Sequence, residues 1–225
     1  LLILGLLAAT GFIGFLDDWT KISKQRSLGL TPRGKLIGQV LVGVAFSGAA
    51  LLFPAASGNV GARPASVYIS IVHDIEWLRL PVVLAIFWMT LLITGFSNAV
   101  NLTDGLDGLA TGASTMVFGA FALMGIFASN QWCLTGARLA RCYDVRDPSD
   151  LAVVSIALAA ACFGFLWWNA KPAKIFLGDT GSLGLGAAMA GLAIFSRTEI
   201  LLVVLGLLFV IETLSVMIQV GYFKY

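Results

Sequence analysis

The chain has 225 residues, of which 59% are hydrophobic and only 12% charged, with a formal net charge of +2 and a mean hydropathy of +0.93. That composition, with apolar stretches of roughly the twenty-residue length that crosses a bilayer core, excludes a water-soluble globular domain. In lipid, only a helix satisfies its own backbone groups within one segment, so the expected fold class is all-α, a polytopic helical membrane protein.

Apolar runs occur at Leu1 to Leu16, Leu36 to Phe53, Leu80 to Phe96, Leu109 to Phe127, Leu151 to Trp168, Leu183 to Phe195 and Ile200 to Val220. They predict about seven transmembrane helices. The Leu183 run is short and rich in Gly and Ala, which suits close helix packing more than lipid contact and also admits a re-entrant reading. The first run has no Met, basic leader or cleavage site and so is not a signal peptide. The final residues stop directly after a span. The expectation is a single integral-membrane domain over residues 1–225, truncated at both ends.

Three polar clusters interrupt the apolar background: Asp17-Asp18-Trp19-Thr20-Lys21, Asn98 to Asp107, and Asn169 to Ser182. Two predicted spans separate each from the next, so all three surface on one side of the membrane. Every Lys of the chain, and the basic stretch Lys21, Lys24, Arg26, Arg33 and Lys35, falls on that side, which orients the clusters toward the cytoplasm. The acids on that side, Asp17, Asp18, Asp104, Asp107 and Asp179, all belong to the clusters. The acids of the other side, Asp74, Glu76, Asp144, Asp147, Asp150 and Glu199, read as solvated loop charges.

In the first cluster, Lys21 lies three and four residues after the two carboxylates, so helical geometry puts it on a face with one of them. Adjacent carboxylates suit a divalent metal or a general base, and the competing reading is a charged interfacial anchor. In the second, Asp104 and Asp107 are spaced i, i+3 just before a span. N-capping accounts for one of them, but not for both together with Asn98 and Asn101. The third offers Asp179 as the best metal-ligand candidate, between small residues that allow phosphate oxygens to approach backbone N–H groups. GDTGS lacks the spacing of a P-loop. Oxygen ligands without His favour a hard cation such as Mg²⁺, which would neutralise charge during phosphoryl transfer. His73 reads as a loop residue.

Two smaller features complete the reading. Glu212, Ser215 and Gln219 share a face of the last span, as polar groups in a bilayer do when they point into a bundle or cavity. Cys133 and Cys142 lie in a loop assigned outside, where a disulfide is a hypothesis, and Cys162 lies in a span.

The clusters, in this order and spacing, resemble those of the polyprenyl-phosphate N-acetylhexosamine-1-phosphate transferase family. The strings that carry the resemblance are GFIGFLDDWTKI from Gly11, NAVNLTDGLDGLATG from Asn98, WWNAKPAKIFLGDTGSLGLG from Trp167 and FVIETLSVMIQVGYFK from Phe209. The last points to the branch that uses UDP-N-acetylmuramoyl-pentapeptide. The alternative is a sister transferase that moves N-acetylglucosamine-1-phosphate from UDP-N-acetylglucosamine.

The resemblance implies a Mg²⁺-dependent exchange at the cytoplasmic face of the bacterial inner membrane. The partners would be UDP-N-acetylmuramoyl-pentapeptide, undecaprenyl phosphate and membrane lipid, with no nucleic acid and room for a homodimer, and the products lipid I and UMP. It assigns Asp17 and Asp18 to the lipid phosphate, with Asp18 favoured as a base, and Asp179 to Mg²⁺. Asn101, Asp104 and Asp107 would serve the nucleotide and diphosphate region, Asn169 would sit beside the metal, and Lys21 would pair with phosphate as a point charge. Family members have ten helices and a His-rich loop after the last span present here, and Lys171 stands where the family more often has His. A secondary transporter would place its charges near the midplane within repeats, and neither is evident. A membrane scaffold would not require convergent acidic and Asn-rich clusters.

Overall fold

The computed structural model describes residues 1–25, 29–52, 63–133 and 142–224. Arg26, Arg138 and Arg141 lie outside the described residues. The helices are α1 (Leu2–Ser23), α2 (Pro32–Leu52), α3 (Val82–Thr103), α4 (Leu109–Asn130), α5 (Pro148–Asn169), α6 (Gly178–Phe195), α7 (Glu199–Leu205) and α8 (Leu207–Lys224). A short antiparallel hairpin, β1 (Tyr68–Ser70) and β2 (Asp74–Arg79), joins α2 to α3. The all-α polytopic expectation holds.

Local chemistry sets several starts. Thr31 accepts the Gly34 N–H through its hydroxyl at 3.2 Å, and Pro32 opens α2 with its φ already helical. Pro148 does the same for α5.

The seven apolar runs fold mainly as helices. Among the described residues five helices, α1 to α5, are long and apolar enough to cross a membrane by length and composition, and a sixth crossing is reached if α7 and α8 count as one, bent by 78° at Gly206. The Leu183 run, shorter than these, is not counted among them. It forms α6, whose Leu183, Ala187, Ala188, Met189, Ala190 and Ala193 are completely buried, and which packs mainly between α1 and α3. Close packing, anticipated from its small residues, is what α6 does.

Two glycines make that packing feasible. A Cβ on Gly14 would land on the backbone of Asp179 and Thr180, and one on Gly186 would land on the carbonyl of Phe96. Backbone-to-backbone approach therefore ties α6 to α1 on one side and to α3 on the other. The Ser97 hydroxyl adds a hydrogen bond to the Leu183 carbonyl at 3.1 Å.

The far end of α6 is closed by the hairpin. Glu199, read from sequence as a solvated loop charge, is instead buried at 0% exposure, as is Arg197 two residues before it, at 7%. The Glu199 carboxylate accepts the Ser70 N–H at 2.8 Å, and Arg197 donates to the Arg63 carbonyl at 3.0 Å and faces Asp74 at 3.9 Å. Asp74 also accepts the hydroxyls of Ser66 and Ser70 at 2.9 and 2.7 Å. The hairpin folds over the α6–α7 turn, and sequence order gives no sign that a segment more than 120 residues earlier will cover it. Burial pushes the Arg197 guanidinium below its ordinary pKa, against the opposing pull of Asp74, Glu199 and Asp144.

Cys133 and Cys142 are bridged, so the hypothesised disulfide is present at this same end. The next residue, Tyr143, stacks on His73 of the hairpin with ring centroids 4.5 Å apart. Along α8, Gln219 donates to Ser215 within the helix at 3.3 Å.

Candidate active site

The three polar clusters meet at the end of the bundle opposite the hairpin. α1 brings Asp17, Asp18 and Lys21 on its last turns, α3 ends with Asn101 and runs into Asp104, and α6 begins with Gly178 and Asp179. The close approach at Gly14 sets Asp179 beside the carboxylates of α1, and the short first turn of α6 leaves its backbone N–H groups open to partners.

Lys21 is the centre of the ionic contacts. Its ammonium stands 2.6 Å from Asp17, 3.5 Å from Asp18 and 2.9 Å from Asp179, so the helical spacing expected to bring one carboxylate to Lys21 brings both. A second ammonium, from Lys35 on α2, lies 3.0 Å from the same Asp179 oxygen and 3.5 Å from the Asn101 side-chain oxygen. Asn101 donates to Asp179 at 2.5 Å and to the Ser182 hydroxyl at 2.8 Å. Asp179 is thereby gripped from α1, α2 and α3 at once.

The two neighbouring aspartates of α1 occupy different surroundings. The Asp17 side chain is 5% exposed and accepts the Leu30 N–H at 2.7 Å. Asp18 is 28% exposed and accepts both the N–H and the hydroxyl of Thr180, at 3.0 and 2.9 Å. Asp17 is a fixed element of the wall, and Asp18 is the carboxylate open to a bound molecule.

The second cluster docks onto the third through backbone donors. Asp104 accepts the Gly178 N–H at 3.0 Å, and Asp107 accepts the Ala173 N–H at 3.2 Å. The other Asp104 oxygen is buried without a partner among the described residues. Burial pushes the Asp104 carboxyl up to about 6, with the Gly178 and Leu177 N–H groups opposing that rise and the charges of Asp179 and Asp18 adding to it. Neither carboxylate acts as an N-cap of α4, whose start at Gly108 has no side-chain cap. Asn169, at the end of α5, is 1% exposed. It accepts the Thr111 hydroxyl at 2.6 Å and donates to the Ile175 carbonyl at 2.9 Å. It braces the loop that leads to Asp179, and both ends of its amide are engaged.

Each site residue named from sequence is therefore in this one assembly, with Asp17, Asp18, Lys21, Asn101 and Asp179 linked in one network through Lys21 and Asp179, and Asp104, Asp107 and Asn169 bound to the first residue of α6 or the loop before it. Sequence reasoning missed Lys35, Thr180 and Ser182 as members. Lys35 sits in a basic loop of the kind that membrane orientation alone explains, so its charge was visible and its destination was not.

A divalent cation fits the donor set. One oxygen from each of Asp17, Asp18 and Asp179 lies within 4.8 Å of the others. Three such hard carboxylate oxygens would suit a divalent cation such as Mg²⁺. The two ammonium groups now answer the same negative charge. Beside the site, Leu7, Gly11, Phe15, Cys162, Phe165 and Thr180 help line an apolar groove of about 590 Å³ between α1, α5 and α6.

Comparison with known proteins agrees with the strings that carried the resemblance. Residues 1–197 match the family model described as glycosyl transferase family 4. The chain is 64% identical over its whole length to the phospho-N-acetylmuramoyl-pentapeptide-transferase of Cutibacterium acnes, covering 62% of that protein. It is 60% identical to the protein of the same name from Kineococcus radiotolerans and 57% identical to that from Streptomyces avermitilis, in each case over the whole chain and covering 63% and 62% of the relative. The chain thus spans somewhat less than two thirds of the length of the curated relatives it matches. The match covers α1 to α6 and with them the whole carboxylate assembly, and the chain belongs to glycosyl transferase family 4.

Proposed function

We propose that the protein transfers phospho-N-acetylmuramoyl-pentapeptide from its UDP-linked donor to undecaprenyl phosphate, forming lipid I and UMP at the cytoplasmic face of the bacterial inner membrane. The observation that carries this reading is the meeting of Asp17, Asp18 and Asp179 with Lys21 and Lys35 at one end of an apolar bundle. Phosphoryl transfer needs little covalent help from a protein and much positioning and charge neutralisation. The assembly supplies both kinds of group. The shared name of relatives 57 to 64% identical over the whole chain supports the choice of donor and reaction.

In this reading Asp17, Asp18 and Asp179 hold Mg²⁺, which when bound supplies Lewis-acid neutralisation of the diphosphate charge. Asp18, the most exposed of the three, takes the proton from the lipid phosphate as its oxygen attacks the donor. Lys21 and Lys35 shift from carboxylate to phosphate oxygens as point charges. Asn101 keeps Asp179 oriented, and Asp104, Asp107 and Asn169 hold the loop against which the nucleotide rests.

The disulfide supports the orientation, since disulfides persist in oxidising compartments and Cys133–Cys142 lies at the end opposite the site. The test is UMP release by the natural full-length protein in detergent, with undecaprenyl phosphate and Mg²⁺. UDP-N-acetylmuramoyl-pentapeptide and UDP-N-acetylglucosamine are offered in parallel, beside Asp179→Asn. Release from the pentapeptide donor alone, abolished by chelator and by the substitution, is the expected result. Release from the other donor alone moves the protein to the sister reaction, and release from neither refutes the transferase reading.

A further inference from the structure

Below the carboxylates, a buried amide pair joins α2 to α3. Gln39 is completely buried and accepts a hydrogen bond from the Asn98 amide at 2.9 Å. The same Asn98 nitrogen donates to the Thr94 carbonyl at 2.8 Å, so its two protons are divided between its own helix and the neighbouring one. The Gln39 nitrogen has no partner among the described residues. Asn98 is thus the single hydrogen-bonding partner of the Gln39 amide there. A buried amide in an apolar bundle is costly unless it is satisfied, so a packing role alone would be served better by Leu or Met.

Position supplies the reason. Gln39 follows Lys35 by four residues on α2, and Asn98 precedes Asn101 by three on α3, so each pair shares a helix face. The Gln39–Asn98 contact therefore forms a lower rung, about one helical turn beneath the Lys35–Asn101 contact. The upper rung is long, at 3.5 Å, and ends on Asp179. The lower rung is short, buried and directional, and it fixes the sliding register of α2 on α3. A slip of that register would carry the Lys35 ammonium off Asp179.

We propose that Gln39 and Asn98 are positioning residues for Lys35, holding its ammonium over the Asp179 carboxylate. They touch neither substrate nor metal. The activity arm of the test rests on the transferase reading, and a chemical arm does not. In the natural full-length protein, Gln39→Leu is expected to lower kcat about tenfold with KM for the nucleotide donor unchanged, the scale on which small misplacements act. Added to Lys35→Ala it should cause no further loss, because both changes remove one function. Reductive methylation read by mass spectrometry should label Lys35 several-fold faster in Gln39→Leu, with Lys21 as an unchanged internal control. The exchange Gln39→Asn with Asn98→Gln keeps the pair's combined length, and it should restore both readouts.

Wild-type kcat and wild-type Lys35 labelling in Gln39→Leu would overturn the proposal, as would losses that multiply with Lys35→Ala. If Gln39→Leu does not fold, the exchange variant decides alone, since labelling of Lys35 at the wild-type rate upholds the proposal and faster labelling refutes it. Absence of UMP release in the wild type would count against the transferase reading, and the labelling result would still decide the amide pair.

Discussion

The two ends of α6 carry two polar clusters of carboxylates and cations, and they differ in how far each is closed to solvent. Asp179 opens the helix and Arg197 follows its last turn, about 27 Å further on at 1.5 Å per residue. At the Arg197 end, three charges are folded into each other and into the hairpin, with Glu199 and Arg197 almost without solvent contact. At the Asp179 end, three carboxylates face two ammonium groups, and Asp18 and Lys21 remain 28% and 36% exposed. A cluster closed to solvent leaves no opening for a ligand, whereas one with surplus negative charge and an open side suits the cation and phosphates of the proposed reaction.

Changes at the two ends should therefore separate activity from stability. The largest effect is expected from Asp179→Ala, which removes a proposed metal ligand and the anchor of both lysines. Turnover should fall about 10³-fold or more, the scale of losing preorganised electrostatic stabilisation. Thermal stability should change much less, since the lost contacts to Lys21, Lys35 and Asn101 are offset by relief of the repulsion among three clustered carboxylates. UMP release and thermal denaturation of the same preparation check this, and a large loss of stability with normal turnover per folded molecule would erase the contrast.

Arg197→Met is the complementary change. It leaves the buried Glu199 and the part-exposed Asp74 without their cation, and breaking a buried pair costs about 3–5 kcal/mol. The denaturation midpoint should drop by several degrees while kcat of the folded protein is unchanged. A drop in kcat at constant stability would mean that the far end communicates with the site.

These two clusters were not equally legible in the sequence. The site was readable from parity: each acidic string lies two apolar runs from the next, and that alone obliges Asp18, Asp104 and Asp179 to share a face. Spacing alone also joined Lys21 to one of the two carboxylates Asp17 and Asp18. What escaped were contacts decided by tertiary structure. Lys35 enters from α2, the hairpin covers Glu199 from a distant part of the chain, and the break at Gly206 lies within an apolar run whose average hydropathy passes over it. How α6 packs was legible for a different reason. Hydropathy marks α6 as apolar, but lipid and a helical core are equally apolar surroundings, and its Gly and Ala content was the signal that separated them.

The disulfide sharpens the contrast from the stable end. Cys133 and Cys142 are nine residues apart, and closing a loop of that size restricts the unfolded chain by about 2.5 kcal/mol. Reduction should lower the denaturation midpoint accordingly and leave kcat untouched. An impermeant maleimide applied to intact cells should label both cysteines only after reduction. Labelling without reductant would rule the bridge out, and labelling only after the membrane is opened would reverse the orientation.

The smallest effect is expected within the site itself, at Asp107→Asn. Its one described hydrogen bond is to the Ala173 N–H at 3.2 Å, and an amide oxygen can accept the same proton, so stability should change by less than about 1 kcal/mol. What the substitution does remove is a negative charge at the mouth of the third cluster. If Asp107 only braces the loop, Asn serves as well as Asp, and both kinetic constants stay put. If its charge meets the diphosphate through the bound cation, kcat falls while Asp107→Glu, which keeps the charge, retains more activity than Asp107→Asn. That order of the two variants, read by UMP release, separates a brace from a participant at the one site carboxylate whose contacts allow either role.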